Sequence, residues 1–181
     1  MPKQRYILLD RDGVINHDSD AFIKSPDEWM PIDGSLEAIA LLNAQGYQVI
    51  VVTNQSVVAR GLLDEPMLEQ IHAKMRRLVS EKGGDITAIY YCPHCADSNC
   101  DCRKPKAGLL KAFAADFNAD LTTIAVIGDS SRDLQAAEAV GAEPILVKTG
   151  KGQITLLNNP HLNFLVFENL YDAAKHIISR H

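Results

Sequence analysis

Two carboxylates, Asp10 and Asp12, stand two residues apart directly after the apolar run Tyr6-Ile7-Leu8-Leu9. Gly13 follows them and lets the backbone turn. A carboxylate where a buried strand ends can act as a nucleophile, with a second beside it to move protons. Taken alone, Asp-Arg-Asp-Gly reads equally as a plain turn after a strand. Three later segments give the pair a context: Thr53-Asn54-Gln55-Ser56, Arg103-Lys104-Pro105 and Gly128-Asp129-Ser130.

A carboxylate that attacks a phosphate ester meets the repulsion between two anions. Positive charge and hydrogen-bond donors must therefore surround the phosphoryl oxygens. Asp10 and Asp129 together offer the hard oxygen ligands that Mg²⁺ takes. Lys104 offers a point charge, and Thr53 and Asn54 offer donors. Asp12 can protonate the leaving oxygen and then deprotonate water for hydrolysis of a phospho-aspartate. Each segment also has a plainer reading: Thr53-Asn54 as a strand end, Lys104 as a solvated lysine, Gly128-Asp129 as a turn with a helix cap. Their occurrence together, in this order and at the ends of predicted elements, favours the chemical reading.

All four cysteines, Cys92, Cys95, Cys100 and Cys102, are crowded into one short stretch. A disulfide framework would be spread along the chain, so the crowding points to a metal. Thiolates and imidazole suit a closed, tetrahedral Zn²⁺ site with four protein ligands. Cys92, Cys100 and Cys102 supply three of them. The fourth is His94 or Cys95, and spacing does not decide between the two.

The elements that must position these groups alternate. Short β-branched runs at Tyr6–Leu9, Gln48–Val52, Ile86–Tyr91, Ile124–Ile127, Pro144–Val147 and Phe164–Phe167 read as strands. Most are apolar throughout, as in a parallel sheet covered on both faces. Between them, Leu36 to Asn43, Leu68 to Leu78, Leu109 to Phe117, Leu134 to Val140 and Leu170 to Ile178 carry helical periodicity. Asp64 is the expected N-cap of the second helix, with Pro66 in its first turn and Gly83-Gly84 as its stop. This order predicts a doubly wound, Rossmann-like α/β sheet with ligands beyond the carboxyl ends of the strands. Asp10, Thr53 and Asp129 all follow predicted strands and should converge there.

The 181 residues suit one domain, with a zinc loop at 92–102 and no run long enough for a large cap. A net charge of −5 disfavours a nucleic-acid partner. No apolar stretch reaches membrane-spanning length or forms a signal-peptide core, so a cytoplasmic location is the default expectation. Nothing in the composition demands a dimer, and a monomer is expected.

The four chemical segments in this order resemble the haloacid dehalogenase-like phosphatases. The likeness narrows to members that carry a zinc loop and act on a small sugar bisphosphate, through Asp10 to Asn16, Thr53 to Ser56 with Ala59-Arg60-Gly61, and Cys92-Pro93-His94 with Cys100 to Pro105. The resemblance covers nearly the whole chain and implies a HAD fold without a large cap domain. It makes Asp10 the residue phosphorylated, Asp12 the acid and base, and Thr53 and Lys104 the phosphate-binding partners. It places Mg²⁺ on Asp10, Asp129 and the backbone carbonyl of Asp12, and favours His94 as the fourth zinc ligand. It implies substrate contacts from Asp18, Ser19, Asp20, Ala21, Asn54, Gln55, Ser56 and Ser130, and from Arg103 to the phosphate that is not removed. Two departures stand out. Val57-Val58 replaces a common Gly-Ile, and Ser130 stands where some relatives carry a lysine, which leaves open whether Arg132 supplies that charge. The other readings are a phosphatase for histidinol phosphate and a zinc-stabilised interaction module that binds Mg²⁺ without turnover.

Overall fold

A computed structural model describes residues 3–161 and 163–180. Six parallel strands form one sheet: β1 (Arg5–Leu9), β2 (Tyr47–Asn54), β3 (Ala88–Cys92), β4 (Ala125–Gly128), β5 (Glu143–Val147) and β6 (Leu165–Phe167). Their order is β3-β2-β1-β4-β5-β6. Each of the six strands read from the sequence is present, with no end displaced by more than two residues.

Alternate residues of the central strands face opposite sides of the sheet, and both sides are apolar. Ile7, Leu9, Val49, Val51 and Ile127 pack beneath α1 (Ser35–Ala44), α2 (Glu65–Glu81) and α6 (Leu170–Ser179). Leu8, Ile50, Val52 and Val126 pack against α3 (Gly108–Phe117) and α4 (Ser131–Ala139) on the other side. Asp64 caps α2 by accepting from the Met67 N–H at 3.0 Å, and Pro66 sits in its first turn. A sixth helix, α5 (Gly152–Asn158), has no counterpart in the sequence reading. It is short, it opens on glycine, and Ile154 and Leu157 are 62% and 78% exposed, so no inward apolar stripe marks it.

Sheet order reverses between β1 and β4, where the chain leaves in opposite directions and opens a crevice at the strands' carboxyl ends. Asp10 and Asp129 follow those two strands. Among the described residues no helix is long and apolar enough to cross a membrane.

Candidate active site

The crevice floor is built where the turn after β1 touches the turn after β4. Gly13 has φ +87°, and a Cβ there would lie 2.0 Å from Asp129 Oδ2. Only glycine allows so close an approach. The loop after β5 closes over the same point. The Lys151 N–H donates to Asp129 Oδ2 at 2.9 Å, Thr149 Oγ1 donates to the Gly13 carbonyl at 2.6 Å, and Thr155 Oγ1 to that of Asp129 at 2.8 Å.

Oxygens of Asp10, Asp129 and Asp133 lie within 4.8 Å of one another. Burial and then repulsion from Asp133 raise Asp10 well above the ordinary carboxylate range, and the same two causes push Asp129 up to about 7. Three crowded carboxylates with unfavourable charge are a donor set that suits a hard cation such as Mg²⁺. Asp133 is committed elsewhere. Its Oδ2 accepts from the Asp129 and Ser130 N–H groups and the Ser130 hydroxyl at 3.0–3.2 Å, a capping box at the start of α4. Its Oδ1 accepts from Lys104 Nζ at 2.5 Å. Asp133 was not singled out from the sequence, because an aspartate in a helix's first turn reads as a cap; its signal is the four-residue spacing from Asp129.

Lys104 is 4% exposed, and Nζ donates to three oxygens: Asp133 Oδ1, Asp10 Oδ1 at 3.2 Å and the Val52 carbonyl at 2.8 Å. Burial alone would lower its pKa, but the two carboxylates hold the ammonium above its usual range. Asn54 fixes the lysine's backbone: its Oδ1 accepts from the Lys104 N–H at 3.0 Å and its Nδ2 donates to the Lys104 carbonyl at 3.1 Å. Asp10 Oδ1 also accepts from the Arg11 N–H at 2.8 Å. Asp10 Oδ2 has no donor among the described residues.

Asp12 lines the same cavity but is not one of the three crowded carboxylates. Oδ1 accepts from Arg11 Nε and Asn16 Nδ2, each at 2.9 Å, and Oδ2 from Gln55 Nε2 at 3.1 Å and Arg11 Nη2 at 3.3 Å. Against the upward push of burial, the Arg11 guanidinium and these hydrogen bonds hold Asp12 below the ordinary range. Gln55 Nε2 also donates to Thr53 Oγ1 at 3.0 Å, so Gln55 braces two site residues.

A cavity of about 250 Å³ opens above Asp10. Of the residues expected to face a substrate, Asp18, Ser19, Asp20, Asn54, Gln55, Ser56, Arg103 and Ser130 line it, and Ala21 does not. Ser130 spends its hydroxyl on Asp133, whereas Arg132 lines the cavity as a cation. Arg60, from the Ala59-Arg60-Gly61 segment, also lines it, as do Lys151 and Phe22, to which the sequence reading assigned no site role. Arg60 lies 5.0 Å over the Phe22 ring, and Lys151 Nζ is 3.6 Å from Asp18. Val57 is 1% exposed, and neither it nor Val58 lines the cavity.

Cys92, His94, Cys100 and Cys102 bring their ligand atoms together, and Cys95 lies outside the group. His94 Nδ1 is 3.5 Å from Cys92 Sγ and 3.4 Å from Cys102 Sγ, and Cys92 Sγ is 3.7 Å from Cys100 Sγ. Tetrahedral bonds of about 2.0–2.3 Å place ligand atoms roughly 3.4–3.8 Å apart. Cys92 and Cys102, at 3.0 Å, are closer than that. Burial and then the Cys102 contact push the Cys92 thiol up to about 12, so a thiolate there requires a cation beside it. Arg103 Nη1 donates to the His94 carbonyl at 3.2 Å, which ties the loop to a cavity residue.

An aspartate after the first strand, a lysine and a second aspartate meeting it, and a 3-2-1-4-5-6 parallel sheet are the features of HAD-like hydrolases. A HAD-hydrolase-like family model matches residues 101–173. A D-glycero-beta-D-manno-heptose-1,7-bisphosphate 7-phosphatase of Pseudomonas putida is 51% identical over 96% of this chain and 99% of its own length. One from Neisseria meningitidis is 48% identical over 96% and 95%. The crystal structure of the D,D-heptose 1,7-bisphosphate phosphatase of B. bronchiseptica, complexed with magnesium and phosphate, superposes with a TM-score of 0.95. It is 46% identical and covers 98% of this chain and 99% of that one. The chain belongs to the D-glycero-β-D-manno-heptose-1,7-bisphosphate 7-phosphatase family.

Proposed function

We propose that this chain hydrolyses the 7-phosphate of D-glycero-D-manno-heptose 1,7-bisphosphate through a phospho-aspartate on Asp10, a step in supplying ADP-heptose for lipopolysaccharide. The observation that carries the reading is near full-length similarity to these phosphatases combined with an Asp10 that lines the cavity beside Lys104 and keeps one carboxylate oxygen without a donor among the described residues.

Asp10 Oδ2 attacks phosphorus as the bond to the sugar's O7 breaks, and Asp12 gives that oxygen a proton. Water then attacks the phosphoryl group, Asp12 takes a proton from it, and Asp10 is regenerated with release of phosphate. At rest Asp12 is held ionised as an acceptor, ready for the second step. A phosphoryl dianion arriving beside it raises its proton affinity for the first. Lys104 holds positive charge against Asp10 throughout, and Thr53 supplies a hydroxyl at the cavity floor. Asp10, Asp129 and the Asp12 carbonyl would hold Mg²⁺, which when bound offsets the charge of the phosphoryl oxygens. Arg103 and Arg132 suit the phosphate that stays, since a planar guanidinium pairs bidentately with phosphate oxygens. Cys92, His94, Cys100 and Cys102 would hold Zn²⁺ as a closed site that stiffens the segment carrying Arg103 and Lys104.

Phosphate release from a panel of phosphorylated sugars and histidinol phosphate tests this. Heptose 1,7-bisphosphate should be turned over far faster than the rest. Preference for histidinol phosphate, or no release with Mg²⁺ present, refutes the assignment.

A further inference from the structure

Arg11 sits between the two catalytic aspartates, yet its side chain is 0% exposed and does not line the cavity. Its guanidinium grips Asp12 with two nitrogens, Nε at 2.9 Å and Nη2 at 3.3 Å. The third nitrogen, Nη1, lies 3.1 Å from Nε2 of His72 on α2. His72 is itself 7% exposed.

The guanidinium carries only donors and keeps its charge at all accessible pH. His72 Nε2 must then accept, which puts the imidazole's proton on Nδ1 and leaves the ring neutral. The Tyr91 ring neighbours that of His72, with centroids 6.1 Å apart and the planes tilted by 59°. A planar fork bound at one end to a carboxylate and at the other to a fixed acceptor cannot rotate about its own axis.

We propose that His72 is a positioning residue for the phosphatase step: it locks the Arg11 fork, and through it the orientation of the Asp12 carboxylate that exchanges the proton. The inference rests on the phosphatase reading above. Without the acceptor, Nη1 becomes a buried N–H with no partner, and the fork turns or draws in water to satisfy it. The carboxylate it holds then shifts, and small misplacements of a reacting group are expensive in rate.

The test is steady-state kinetics on the Mg²⁺-loaded enzyme, wild type beside His72→Leu and His72→Gln, with thermal melts to confirm folding. Leucine fills the space without an acceptor, whereas glutamine's Oε1 reaches close to the position of Nε2. His72→Leu should lower kcat about tenfold with KM within about twofold of wild type. His72→Gln should recover kcat to within about threefold of wild type, which a role in packing alone would not produce. A leucine variant with kcat within threefold of wild type overturns the proposal. So does a change confined to KM, or a glutamine variant no better than leucine. If the leucine variant does not fold, the glutamine variant decides alone: kcat within threefold upholds the proposal and a larger fall overturns it. An inactive wild type defeats the phosphatase reading instead.

Discussion

Asp10 is set apart from Asp12 by what already occupies its oxygens. Among the described residues one oxygen of Asp10 has no donor, whereas both oxygens of Asp12 are held by neighbours. Asp10→Asn keeps the shape but replaces the proposed nucleophile with a poor one. Phosphate release should fall below about a thousandth of wild type. A residual rate near wild type removes Asp10 from that role. His72 carries a second residue-scale expectation. Burial and then the Arg11 cation bring its pKa down to about 3, with Arg76 adding to the fall and Asp12 opposing it. In the unfolded chain it titrates near 6.5, so between these values the unfolded state binds more protons and stability rises with pH. Acidification from pH 7 to 5 should cost wild type on the order of 2 kcal/mol more than His72→Gln, read from urea melts. Equal losses would show that His72 is not buried neutral. Asp10, Asp12 and Asp129 were legible because each comes just after an apolar strand, Thr53 because it lies at the end of one, and Lys104 because it adjoins the cysteine cluster. Arg11 was not, since a cation flanked by aspartates looks like a solvated one; its burial is a property of the assembled core.

The turns and loops outside the sheet bring the charges together. The loop from 148 to 151 ties Asp129 to the turn at Gly13, and the cysteine loop ties His94 to Arg103. Spacing left His94 and Cys95 equivalent as metal ligands, because both fall within reach of Cys92 along the chain. Folding separates them, because Cys95 becomes the N-cap of the short 3-10 turn at Ala96–Ser98 and stays outside the ligand group. Elemental analysis should therefore find about one zinc per chain in wild type and in Cys95→Ser, and none in Cys92→Ser. Stripping the zinc should lower phosphate release about tenfold even with Mg²⁺ in excess. Full activity without zinc would separate the loop from the site. Helix α5 escaped notice for a related reason. Its position comes from Thr155 and the Asp129 carbonyl, a hydrogen bond and not a hydrophobic stripe.

Across the whole molecule, three carboxylates from two distant stretches of sequence meet at the point where sheet order reverses. Periodicity alone located that meeting point, because a parallel sheet fixes which ends of β1 and β4 adjoin. It could not locate the cavity rim, where Arg60, Arg132 and Lys151 arrive from three separate loops and helix ends. A divalent ion that joins such distant stretches should stabilise the native state by mass action. Mg²⁺ at about a hundred times its Kd should raise Tm by roughly 5–10 °C. Asp129→Asn should abolish that rise without altering zinc content. A rise that persists in the variant moves the ion elsewhere. The lysine at the centre of this arrangement has a last consequence. With all three ammonium hydrogens spoken for, Lys104 reaches an incoming phosphoryl group as an electric field and not as a ligand, unless it first releases one of its oxygens. On the proposed mechanism, grip on the transferred group would then fall to the Thr53 hydroxyl and to a cation held by Asp10 and Asp129, so affinity and charge compensation would be divided between different parts of the pocket.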